Sequence, residues 1–180
     1  MDNIILGLLL LCSRTIYQLR ERIDQGLRLM YSSSMGSIQA AIRKLLECGY
    51  IGFEETVENG KYKKVYHITD AGRQHFFAWV NGPMEQQGIR CPGLVKLYFL
   101  GFADEKNREA SLEACLAALR EQHQALALIC EEAKHVAVPA DKEDIFQYQL
   151  ASARYGRDLY QFNIQWFEDL LKKVRNHDTI

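Results

Sequence analysis

Gln39 and Arg43 stand four residues apart. On a helix that spacing is one turn and one face. A glutamine there carries the donor–acceptor pair that matches adenine, and an arginine reaches guanine or phosphate. Setting Ile38 at 0° and advancing about 100° per residue places Gly36, Gln39, Ala40, Arg43 and Glu47 between about 100° and 200°. Gly36 and Ala40 keep the start of that face low, so such a helix can seat deep in a groove. Ser34 and Ser37 lie where a helix start and its free N–H groups would meet phosphate oxygens. Further on, Lys61, Lys63 and Lys64 crowd around Tyr62, and each can neutralise a phosphate. The same residues also fit a solvated helix face and a hairpin whose lysines pair with Glu55 and Glu58. For the lysines both descriptions can hold at once.

Other chemistries find no support. The chain has no G-x-G-x-x-G, P-loop, G-x-S-x-G or H-E-x-x-H pattern. His67, His75, His123, His135 and His177 are scattered and lack ligand spacing with any cysteine, so no metal, cofactor or catalytic residue is expected. Glu54-Glu55 and Glu131-Glu132 are expected on solvated faces. The five cysteines are odd in number and form no C-x-x-C pair. They are expected as free thiols in a reducing cytoplasm. The 180 residues are 48% hydrophobic and 25% charged, enough for one or two small domains with a core. The net charge is −1, with +2 over residues 1–82 and −3 over the rest. A phosphate-binding site must therefore be a local arrangement and not a bulk property. The apolar run Ile4–Cys12 has no preceding Lys or Arg and is too short to span a bilayer. It reads as a buried first helix, with no membrane partner.

The elements that must carry these groups follow from periodicity. A helix over Ile4–Cys12 is capped by Asn3, and Ser13-Arg14 is a turn. Thr15 and Gln18 have capping-box spacing before the stripe Ile16, Leu19, Ile23 and Leu27. Ser34 caps a helix over Met35–Cys48 whose buried stripe is Ile38, Ala41, Ile42, Leu45 and Leu46, closed by Gly49 in the left-handed region. Asn59-Gly60 is a hairpin dipeptide. A two-residue loop there pairs Glu58 with Lys61, Val57 with Tyr62, Thr56 with Lys63, Glu55 with Lys64, Phe53 with Tyr66 and Ile51 with Ile68. Ile51, Phe53, Tyr66 and Ile68 should pack on the helices. Thr69 caps the next helix, with Phe76, Phe77, Trp79 and Val80, which breaks at Asn81-Gly82-Pro83.

Three helix followed by a hairpin is the order of a winged helix-turn-helix, which puts its second motif helix, here Met35–Cys48, in the major groove. The fold expected is mainly α, with a winged helix-turn-helix over 1–82 and a C-terminal α-helical dimerisation domain over 90–180. In the latter an apolar segment spans Leu94–Phe102. Two long helices, about Glu105–His135 and Lys142–Arg175, carry seams of three-four spacing. Leu112, Leu116, Leu119, Leu126, Tyr160, Phe167 and Leu170 are the expected dimer interface. Trp79, Tyr98 and Trp166, near Phe99 and Phe162, are more ordinarily core. They are also the candidates for a pocket between the two parts that takes a planar aromatic effector by stacking.

The stretches "IILGLLLLCSRTIYQLRERI", "SMGSIQAAIRKLLECGYI" and "NGKYKKVYHITDAGRQHF" resemble successive parts of the PadR family of winged-helix transcriptional regulators. The resemblance covers about residues 4–80, and the two long helices resemble the longer, virulence-activator-like subgroup. It implies a homodimeric bacterial repressor or activator on a double-stranded, palindromic operator, cytoplasmic and nucleoid-associated when bound. It also implies release by a small aromatic or drug-like ligand. The positions of Ser34, Ser37 and Lys64 match the family pattern. Gln39 does not: the family usually has Tyr after G-S-[IL], so that contact is not carried over. The alternative is a ligand-binding or protein-interaction dimer with a vestigial winged helix.

Overall fold

Ile5 and Leu6 are fully buried at the centre of helix α1 (Asp2–Leu11), the first element of the computed structural model. The structure describes residues 1–26, 34–58, 61–84 and 92–179, together with most of their side chains. It divides into two units, Met1–Gln86 and Gln87–Ile180. Leu27, the Asn59-Gly60 dipeptide, Cys91 and the side chain of Lys61 lie outside the described residues.

In α1 the cap expected at Asn3 sits at Met1, which makes no side-chain cap bond. Asp2 instead occupies the first turn, where the helix dipole favours a carboxylate. Asp2 Oδ2 accepts a hydrogen bond from Lys44 Nζ at 2.7 Å. That bond, and the charge behind it, hold the Lys44 ammonium above its ordinary range. The expected turn at Ser13-Arg14 is replaced in part by a strand, β1 (Arg14–Thr15). Cys12 leaves α1 extended (φ −169°, ψ 156°), which sends the chain alongside the hairpin. Helix α2 (Ile16–Gly26) starts on the expected reciprocal cap: Gln18 N–H donates to Thr15 Oγ1 at 3.3 Å and Thr15 N–H to Gln18 Oε1 at 2.8 Å. Leu19 and Ile23 are fully buried.

Helix α3 (Met35–Glu47) buries Ile38, Ala41, Ile42 and Leu45. Gly49 follows it at φ +70°. Its N–H donates to Leu46 O at 3.0 Å and the next N–H, of Tyr50, to Leu45 O at 2.9 Å. This paired closure satisfies the last carbonyls and needs a residue tolerant of the left-handed region. Strands β2 (Ile51–Glu58) and β3 (Lys61–Ile68) then pair in the expected register, from Ile51 with Ile68 to Glu58 with Lys61. The sheet order is β1-β3-β2, with Arg14 opposite Tyr66 and Thr15 opposite Val65. Ile51, Tyr66 and Ile68 join the core, and burial pushes the Tyr66 phenol up. Phe53, expected with them, is 37% exposed: it lies on the edge strand β2, whereas Tyr66 opposite it lies on the central strand β3.

Helix α4 (Asp70–Val80) begins at Thr69, whose Oγ1 accepts from Gly72 N–H at 3.1 Å and donates to Gly49 O at 2.7 Å. Thr69 N–H donates to Tyr50 O at 3.1 Å. Gly72 lies so close that a Cβ there would stand 2.0 Å from the Tyr50 carbonyl oxygen. The end of α3, both roots of the wing and the start of α4 thus meet at one backbone junction.

The second unit is helical. Helix α5 (Pro92–Tyr98) leads through a 3-10 turn at Leu100–Phe102 to α6 (Glu105–Glu132), capped by Asp104, which accepts from Asn107 N–H at 2.9 Å. Helix α7 (Glu143–Arg175) returns antiparallel. Arg120 pairs with Glu168, Arg175 with Glu109 and Glu113, and Gly156 admits Leu126 against its backbone. The seam read as a dimer interface lies inside this hairpin. Leu112, Leu116 and Leu170 are 2%, 2% and 6% exposed in one core against which Leu119 and Phe167 pack, and Leu126 is 3% exposed. Tyr160 is partly buried. The physical reason is that α6 and α7 are long enough to satisfy each other's seams. Within one chain these residues leave little surface for a second copy.

Candidate nucleic-acid interface

Helix α3 exposes the face expected of it. Gly36, Gln39, Ala40, Arg43 and Glu47 are exposed, while the opposite stripe is buried. Its start is fixed by a reciprocal cap: Ser37 N–H donates to Ser34 Oγ at 3.2 Å and Ser34 N–H to Ser37 Oγ at 3.1 Å. Such a cap stabilises the helix by about 1 kcal/mol and holds both hydroxyls at the positive end of the helix dipole. Among the described residues neither Gln39 nor Arg43 has a hydrogen-bond or ion-pair partner, whereas the neighbouring Lys44 is tied to Asp2. Two polar groups on a low helix face are therefore uncommitted, and the next one is structural.

The wing carries its lysines differently. Lys63 and Lys64 are exposed and, being adjacent on a strand, belong to opposite faces. Lys64 Nζ lies 3.7 Å from Glu55 Oε1 and 4.1 Å from the centroid of the Phe53 ring. Phe53 has a role that alternation alone did not indicate: it seats the Lys64 ammonium by cation–π attraction. Lys61 stands opposite Glu58 in the register. His67 lies over Gly52, where a Cβ would stand 2.6 Å from Nε2, so the wing root tolerates only glycine there without a shift of the ring.

The aromatic residues considered as core are exposed: Trp79 54%, Tyr98 83% and Trp166 44%. Each has a different ring neighbour, Phe76 for Trp79, Phe99 for Tyr98 and Phe167 for Trp166. Trp79 belongs to the first unit and the other two to the second. Trp166 also lines an open cleft of about 610 Å³ with Asp169, Leu170, Lys172, Lys173 and Asp178. Among the described residues no cluster of His, Cys, Asp and Glu could hold a metal, and no helix is long and apolar enough to cross a membrane.

Residues 5–78 match the "Transcriptional regulator PadR-like family" and residues 89–175 match "Virulence activator alpha C-term". The negative transcriptional regulator PadR of Bacillus subtilis is 28% identical over 99 residues, 53% of this chain and 54% of that protein. The chain thus aligns with about half the length of that curated relative. In three dimensions it is similar to Bacillus subtilis PadR solved in complex with operator DNA (TM-score 0.79, 19% identity, 96% of this chain and 98% of the other). It is similar too to PadR in complex with p-coumaric acid (TM-score 0.73, 20% identity, 97% and 94% covered). The Vibrio cholerae virulence activator AphA shares the fold (TM-score 0.73, 20% identity, 98% of each chain covered). These relatives are transcriptional regulators and not enzymes. The chain thus carries a PadR-like family domain over residues 5–78, ahead of a virulence-activator alpha C-terminal domain over residues 89–175.

Proposed function

We propose that this regulator binds a double-stranded, palindromic operator as a homodimer and leaves it when a planar aromatic ligand binds. Residues 1–82 are the DNA-binding domain and residues 90–180 the dimerisation domain. Helix α3 enters the major groove, with Gln39 and Arg43 on base edges and Ala40 against the groove floor. Ser34 and Ser37 meet phosphate at the helix start, and Lys61, Lys63 and Lys64 meet phosphates from the wing. The observation that carries this reading is the exposed, low α3 face with two uncommitted polar side chains. The operator-bound structure of the Bacillus subtilis relative supports it.

Arg43→Ala is expected to cost about 1–3 kcal/mol of binding to a duplex selected by the parent chain, relaxing preference at one position. Lys64→Ala is expected to weaken all duplexes alike and to reduce the salt slope by about 1. Fluorescence anisotropy over a salt series measures both. Two variants indistinguishable from the parent would remove the docking scheme.

For the effector, p-coumaric acid on the Bacillus subtilis relative supports an aromatic carboxylate as ligand. Trp166, beside Lys172 and Lys173 in an open cleft, offers a ring to stack on and cations to pair with. In a Trp79→Phe variant, Trp166 is the remaining indole. Titration with phenolic acids is expected to quench its emission and lower operator affinity. Quenching without loss of DNA affinity would leave a binding site but no effector.

A further inference from the structure

Arg14 is a half-buried cation with no acceptor. Its Nε is buried without a partner, and its terminal nitrogens, at the surface, have no hydrogen-bond or ion-pair partner among the described residues. The other half-buried arginines among those residues are both bonded. Arg108 donates to Ala103 O at 2.7 Å and to Gly101 O at 3.1 Å, and Arg157 donates to Asp158 Oδ1 at 2.8 Å. Taking a guanidinium partly out of water without an acceptor is costly, so an acceptor brought by a partner is favoured there.

The sheet sets Arg14 beside the wing cation. Arg14 stands opposite Tyr66 on β3, and Tyr66 opposite Phe53 on β2, so the three form one row on one face. Lys64, two residues from Tyr66 on the same strand, belongs to that face too. Arg14 and Lys64 are diagonal neighbours across β1 and β3, about 7–8 Å apart. The Lys64 ammonium leans back towards the row, 4.1 Å from the Phe53 centroid. The root of Arg14 is fixed on both sides, since β1 is paired to β3 and the next residue, Thr15, caps α2. A fixed root loses little freedom on binding.

Resting on the DNA reading above, we propose that Arg14 is a further phosphate-binding residue. It takes a backbone phosphate beside the one that Lys64 meets, and so carries the contact from the wing to the start of α2. A guanidinium presents parallel N–H donors that match phosphate oxygens. An arginine serving only to hold β1 in place would be bonded within the chain, as Arg108 and Arg157 are.

The test is Arg14→Gln in the full chain, with Arg14→Met as a second neutral variant whose unbranched side chain fills the space of the stem. The probes are a duplex selected by the parent from a random library and a scrambled duplex of equal length and composition. Both variants are expected to bind both duplexes about 3–10-fold more weakly near 0.1 M salt, with a salt slope shallower by about 1, as loss of one phosphate contact should give. The same loss should appear in a Lys64→Ala background, because two phosphates are involved. Arg14→Lys keeps the charge and should keep the slope. Neutral variants with the affinity and slope of a DNA-binding parent overturn the proposal. So does weaker binding at an unchanged slope, or failure of both neutral variants to fold, since either makes Arg14 a structural residue. No further loss in the K64A background would mean one shared phosphate, and overturns the second contact. If the parent binds neither duplex, the DNA reading itself falls and takes this one with it.

Discussion

Phe162→Glu is expected to give a folded but monomeric chain that binds a two-half-site operator about 10²–10⁴-fold more weakly, the range over which linked binding exceeds a single contact. With the Leu112-to-Leu170 seam consumed inside the hairpin, the unsatisfied surface lies elsewhere on α7. Tyr148, Tyr155, Leu159, Phe162 and Trp166 are 80%, 70%, 44%, 64% and 44% exposed. At about 100° per residue they fall within a stripe about 60° wide, roughly a third of a turn from the buried seam. Leu128 and Ile129 on α6 are exposed too, at 56% and 37%. Large apolar side chains gathered in one exposed stripe mark an interaction surface, and a two-fold contact between copies would cover it. In such a contact one charge is presented twice. In the dimer proposed above, the two recognition helices must reach half-sites about 34–36 Å apart or a multiple of that. Light scattering and anisotropy on the full chain decide the matter. Truncation after Gly82 should likewise be monomeric, whereas Leu116→Ala should lower stability without selectively releasing a partner. A Phe162→Glu chain that stays dimeric with full affinity would move the interface off α7.

Gly72→Ala is expected to destabilise the winged-helix unit by about 3 kcal/mol or more, at the upper end for overpacking. The added methyl would stand 2.0 Å from the Tyr50 carbonyl oxygen and 2.9 Å from Ile68 Cγ1. That carbonyl accepts from Thr69 N–H and follows the Gly49 closure, so it cannot retreat without undoing the end of α3 and the cap of α4. For a unit of this size the loss corresponds to a fall in melting temperature of roughly 12–24 °C. Gly7→Ala is the control. Its methyl would meet the edge of the Phe76 ring at 3.0 Å, a side chain that can swing. Its cost should be nearer 1 kcal/mol. Calorimetry on the two variants compares them directly, and a Gly72→Ala chain melting within a degree or two of the parent would contradict the close approach.

What could be read from the sequence was what repeats. The α3 face was legible because Ile38, Ala41, Ile42 and Leu45 fix the buried stripe, and the exposed one follows by rotation. The wing register was legible because a two-residue loop at Asn59-Gly60 brings apolar residues opposite apolar ones and glutamates opposite lysines. Strand β1 was not: two residues have no period, and their partners lie some fifty positions away. Phe53 was misplaced because alternation assigns a face without saying which strand is the edge of the sheet. The α6–α7 seam was visible as a seam, but periodicity says that a face needs a mate, not that the mate is in the same chain. Trp79, Tyr98 and Trp166 were weighed as core because aromatic residues usually are, and no local pattern marks an exposed one. Gly72 stood in plain sight in "TDAGR", yet its reason, the Tyr50 carbonyl, is visible only once α4 is laid on the wing root.

Strand β1 also bears on how the unit measures a duplex. Thr15 is at once the end of that strand and the cap of α2, while Arg14 and Thr15 are bonded to the middle of β3. The near end of the helix-turn-helix and the returning strand of the wing are therefore stitched to one another, and the far end is stitched again through Gly49 and Tyr50. A body fastened at both margins works as a caliper with its jaws set. In the docking proposed above, inserting or deleting a base pair between the bases under α3 and the phosphates under the wing would then displace one set of contacts entirely. Its tolerance for operator spacing within a half-site should be narrow even where its tolerance for individual bases is broad.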